Sequence, residues 1–64
     1  MDFTDEMNAA MDKLEKKGFE MAHVSHQGWV MMTKTRGCST WMGQVDRDGY
    51  VNGETAEEFL AGLR

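Results

Sequence analysis

The chain has 64 residues, no proline, a single cysteine (Cys38), and 11 acidic against 7 basic side chains, for a formal net charge of −4. A chain of this length makes one domain, residues 1–64, and buries only about 60% of its unfolded surface, so its stability is marginal unless something assists it. A disulfide scaffold is excluded because one thiol has no partner, and a membrane-spanning helix because no apolar run approaches the roughly 20 residues required.

The opening "MDFTDEM" is acidic where a secretory signal would be basic. Together with the lone thiol this points to a reducing, cytoplasmic setting. The charge is unevenly spread. Residues 1–17 carry five acids against three lysines, a net of −2; residues 46–64 carry five acids against Arg47 and Arg64, a net of −3; between them Glu20 stands against Lys34 and Arg36, a net of +1. Binding to phosphate backbones depends on several lysines or arginines, so this balance disfavours nucleic acid and favours a protein partner with a basic surface.

Along the chain, "DFTDEMNAAMDKLEKKG" places Phe3, Met7, Ala10, Met11 and Leu14 on one helical stripe. Thr4 or Asp2 suits its N-cap, and Lys16, Lys17 and Gly18 suit its end, where cations meet the negative end of the helix dipole. Met7 and Met11 read as core filler. From Phe19 the pattern changes to short β-type runs, "FEMAHVSH", "WVMMTKT" and "STWMGQV", separated by "QG" and "RGC". Connections this short favour hairpins, since a parallel crossover needs a dozen or more residues. A three-stranded antiparallel meander results, with "YVN" as a candidate fourth strand. "ETAEEFLAGLR" then predicts a last helix, with Thr55 and Glu58 as a capping box and Phe59, Leu60 and Leu63 as its apolar face.

The fold class expected is therefore α+β in two layers, both helices packing on one face of the sheet. Trp29 and Met31 alternate with Val30 and Met32, so both faces of the middle strand are apolar, and strand three repeats this with Trp41 and Val45 opposite Met42. Two short helices cannot cover both faces. At roughly 25 cal/mol per Å2, leaving the second face in water forfeits several kcal/mol, which leads us to expect a homo-oligomer or partner contact through Val30, Met32 and Met42.

"QVDRDGYVNGET", residues 44–55, resembles a calcium loop: Asp46, Asp48, Gly49, Tyr50, Val51 and Asn52 suit loop positions 3, 5, 6, 7, 8 and 9. Gln44 and Thr55 stand where strong carboxylate ligands belong. A hairpin turn is the simpler account, with Asp46 bonding the backbone and Gly49 at φ > 0. His23, His26 and Cys38 are one ligand short of a structural zinc site, and Cys38 has no base placed to activate it. No phosphate loop, paired-carboxylate site or nucleophile motif is present. We therefore expect no enzyme activity and no cofactor or metal.

The function expected is a small acidic protein-binding module. Asp46 and Asp48 at the turn, with Glu54, Glu57 and Glu58 at the start of the last helix, are the candidate partner-binding residues. By analogy of fold and charge alone, compact acidic proteins are common among virus-encoded inhibitors of nucleic-acid-handling or defence complexes, where carboxylates can occupy a surface meant for phosphates. The alternative is a small nucleic-acid-binding domain that stacks bases on Trp29, Trp41 and Tyr50 beside Lys34, Arg36 and Arg47.

Overall fold

The structure, a computed structural model, describes residues 3–63. Helix α1 (Asp5–Lys16) is followed by strands β1 (Glu20–Val24), β2 (Val30–Arg36) and β3 (Ser39–Val45) and by helix α2 (Ala56–Ala61). The strands form one antiparallel sheet in the order β1-β2-β3, the expected α+β meander.

Thr4 caps α1, its Oγ1 accepting the Met7 amide at 3.1 Å; Asp2, the other cap candidate, lies outside the described residues. Asp5 and Glu6 fill the first turn, and Lys13 and Lys16 the last, as the dipole favours. Gly18 ends the helix at φ 97°, and the Phe19 amide bonds back to the Leu14 carbonyl, turning Phe19 under the helix into the core. Between β2 and β3 the chain reverses in two residues, Gly37 and Cys38. Gly37 sits at φ 61° in the first position, where the tight hairpin turns that match strand twist need glycine.

Met7, Ala10, Met11 and Leu14 of α1 and Phe59 of α2 close over Val30 and Met32 of β2, Val45 of β3, Phe19 and Val51. Both helices thus cover the same sheet face. Gly43, on that face between Trp41 and Val45, makes the fit possible: a Cβ there would lie 2.8 Å from Val51 Cγ1 and 3.0 Å from Phe59 Cζ. Phe59 fills the space the missing side chain leaves and meets Phe19 at 5.7 Å between ring centroids. The opposite face, with Trp29, Met31, Thr33, Met42 and Gln44, has no second layer among the described residues.

Two expectations are corrected here. Val30 and Met32, assigned to an oligomer or partner contact, are fully enclosed by the helices and reach no outer surface; of the three, only Met42 is exposed, at 56%. "YVN" adds no fourth strand. Val51 makes isolated bridges to Val45 and Glu54, and the chain turns back at Asn52, which takes φ 52°. Instead of a strand, Asn52 itself pairs with β3. Its amide donates to the Gln44 carbonyl (3.0 Å), its Oδ1 accepts the Gln44 amide (2.9 Å), and its Nδ2 donates to the Met42 carbonyl (3.2 Å). On the other edge, β1 is broken by a register shift between Met21 and His23. Among the described residues no helix is long and apolar enough to cross a membrane.

Candidate functional site

Residues 46–50 form a tight turn. Asp46 Oδ1 accepts the amides of Asp48 and Tyr50, each at 3.0 Å, while the Asp46 amide donates to the Tyr50 carbonyl and the Gly49 amide to the Asp46 carbonyl, also at 3.0 Å. Gly49 adopts φ 85°, and a Cβ there would come within 2.6 Å of the Glu6 carbonyl oxygen, so the turn lies directly on the first turn of α1. Thr4 Oγ1 fastens it by donating to the Arg47 carbonyl at 2.7 Å. Oxygens that a calcium loop would offer from positions 3, 7 and 9, Asp46 Oδ1, the Tyr50 carbonyl and Asn52 Oδ1, each accept a hydrogen bond from the chain itself. The stretch is built as a turn, as its sequence suggests.

Next to this turn α2 begins. Thr55 and Glu58 form the capping box: Thr55 Oγ1 accepts the Glu58 amide at 3.1 Å, and the Thr55 amide donates to Glu58 Oε1 at 3.2 Å. Lys13 of α1 donates to Glu57 Oε1, and this hydrogen bond with the nearby ammonium charge holds the Glu57 carboxyl below the usual glutamate pKa. Between α1, the 46–50 turn and the start of α2 lies an open groove of about 220 Å3, its floor formed by Ala9 and Ala10 and its rim by Glu6, Lys13, Asp48, Tyr50 and Glu57.

The five predicted acids therefore divide. Asp48 and Glu57 line the groove, and Glu54 is exposed beside it. Asp46 and Glu58 are engaged by backbone amides and serve the turn and the cap first. Glu6 joins the group from α1, unanticipated in sequence. A signal for it exists, because Glu6, Ala9, Ala10 and Lys13 follow the 3-1-3 spacing of a single helix stripe beside the methionine stripe, with small residues in the middle.

At the other end, past the last turn of α1, the Lys34 side chain passes Gly18, with its Cε 3.4 Å from where a Cβ would lie. Lys34, Arg36, Trp41 and Leu63 line a second, half-open cleft of about 180 Å3, with Lys34 Nζ 5.9 Å from the Trp41 ring centroid. The three aromatics proposed for base stacking are dispersed. Trp41 lies on the helix side of the sheet, Trp29 on the outer side against His23 at 5.7 Å, and Tyr50 at the first groove. Arg47 lies along Gly28. Cys38 is exposed in the hairpin turn, and among the described residues no three His, Cys, Asp or Glu side chains are grouped to share a metal ion.

No protein-family model, no curated protein and no solved structure matches the chain.

Proposed function

We propose that the chain is a small protein-binding module whose acidic end covers a basic surface on another protein. What carries this is the convergence of Glu6, Asp48 and Glu57, from three separate elements, on one open groove where Lys13, paired with Glu57, is the one lining cation and the half-exposed ring of Tyr50 stands at the edge. Carboxylates around an aromatic side chain suit a partner presenting lysines or arginines around an apolar spot: the charges steer the encounter and the ring supplies buried area. A virus-encoded inhibitor that occupies a surface meant for phosphates is the most specific form of this proposal, and it requires no chemistry from the chain. A sheet-face contact through Met42 remains compatible with it as a route to homo-oligomers.

The experiment is capture from an extract of the native host on immobilised protein, with an Asp48→Lys/Glu54→Lys variant beside it. A partner retained by the wild type, eluted by salt and associating about tenfold or more slowly with the variant at low salt is the expected result. An unchanged association rate would leave the acids as ordinary surface. The cluster of Trp41 with Lys34 and Arg36 supports a second possibility, single-stranded nucleic acid. Titration with DNA and RNA oligonucleotides distinguishes the two, because that possibility requires tight, strongly salt-dependent binding where the first requires almost none.

A further inference from the structure

We infer that the cleft between Lys34, Arg36, Trp41 and Leu63 is a docking site for the acidic end of a second copy of this chain, with Tyr50 as the inserted side chain. The two ends are opposite in chemistry. The first groove, along α1 from Glu6 to Lys13, carries Glu6, Asp48 and Glu57 against the one cation Lys13, which is paired with Glu57, and the cleft beyond the last turn of α1 pairs two cations with an indole and a leucine. Neither Lys34 nor Arg36 has a carboxylate within 4.0 Å among the described residues, where the ion pairs are Lys13–Glu57 and Lys16–Asp12.

Size and shape agree as well. Cavities of about 150 Å3 accept a benzene ring, so the cleft's roughly 180 Å3 admits one aromatic side chain. Tyr50 is the aromatic side chain that stands exposed, at 47%, and its neighbour Asp48 is placed to meet the cations as the ring enters against Trp41 and Leu63. Copies of net charge −4 repel at long range, but salt screens that repulsion beyond about 8–10 Å while the local pairs remain in contact.

Knob and cleft lie at different ends of the molecule, so a single docking contact is head-to-tail and leaves a free knob and a free cleft on every assembly short of a closed ring. Mass should then climb with concentration instead of stopping at a two-fold dimer. An interface this small is weak and reversible. It uses the same acidic end as the proposed partner surface, so self-association and partner binding exclude one another. The cleft is not part of that partner surface, which keeps the two ideas separable.

Sedimentation of the full chain tests this with two variants, Lys34→Gln/Arg36→Gln in the cleft and Asp48→Asn/Tyr50→Ser at the knob, each checked for unchanged circular dichroism. The wild type at about 0.1 M sodium chloride should exceed its 7.3 kDa mass increasingly as concentration rises toward about 1 mM, and return to it at about 0.5 M sodium chloride. Each variant alone should stay monomeric. An equimolar mixture, holding one intact knob and one intact cleft, should form a complex of two chains and no larger. A wild type monomeric throughout, variants that still associate, a mixture that fails to pair, or association abolished by Met42→Lys on the outer sheet face would each overturn the inference. So would a monomeric wild type that binds an oligonucleotide through Lys34 and Arg36. The cleft variant keeps the acidic end, so its capture of a host partner reports on the proposed function whichever way self-association turns out.

Discussion

On β2, Val30 and Met32 point toward the helices and are wholly enclosed, whereas Met31 and Thr33, their immediate neighbours, point the other way and keep part of their surface in water. Met32 and Met31 are the same residue type one position apart. What separates them is the layer opposite: the methionine stripe of α1 and the ring of Phe59 sit over one face because Gly43 on the adjacent strand leaves room. Burial in a small sheet is thus decided by the neighbouring strand and the helices, not by the strand's own composition.

Met32→Lys should give the largest effect of any substitution on this sheet. Losing the buried side chain costs about 2–5 kcal/mol, and an unpaired charge in the core adds to that, against a total stability for a domain of this size of about 0.05–0.15 kcal/mol per residue. Far-UV circular dichroism should find no folded population at 25 °C. Gly43→Val comes next, at about 1–3 kcal/mol by urea titration, because the new methyls meet Val51 and Phe59; Gln44→Val, one residue on and facing outward, should cost far less. Equal effects at 43 and 44 would break the comparison between the faces.

Thr55→Ala, which removes the capping box that starts the helix carrying Phe59, should lower stability by about 1 kcal/mol. Met42→Thr on the outer face should change stability by no more than about 0.5 kcal/mol, and a larger loss would mean that this face is covered in solution. Smallest is the Lys13–Glu57 pair, which links the two helices at the surface. Because the folded-state pKa of Glu57 is lowered, the pair's stabilisation is present above the ordinary glutamate value and lost as pH falls through the lowered one. Lys13→Met should therefore lower stability slightly at neutral pH and flatten its fall as pH drops below the ordinary glutamate value, so that variant and wild type converge in acid.

Most of the fold is legible in the sequence wherever the signal is local. The α1 stripe of Met7, Met11 and Leu14, the Thr55–Glu58 box and the Asp46–Gly49 turn each follow from residues within one or two turns of each other, and each is built as its spacing implies. The choice of sheet face was not legible from β2, because Trp29 and Met31 are as apolar as Val30 and Met32. The clue lay on the next strand, in a glycine between Trp41 and Val45 on the same face, which marks a close approach from above. The acidic site was half legible. Asp48, Glu54 and Glu57 reach the surface expected of them, but Asp46 and Glu58 have backbone partners that sequence can only suggest, and Glu6 joins through a tertiary contact across 43 residues, the Thr4–Arg47 hydrogen bond.

Asn52 carries a consequence for how the chain behaves when concentrated. Seven methionines and an uncovered apolar sheet face make a 64-residue protein vulnerable to stacking into fibres, which grow by adding strands to open edges. The Asn52 backbone and carboxamide occupy the carbonyl of Met42 and the amide and carbonyl of Gln44, and the irregularity in β1 interrupts the ladder on the far side. With both margins blunted, an incoming strand finds no continuous row of amides and carbonyls to copy. Any association would then fall to ends and faces, where side chains decide specificity and contacts can reverse.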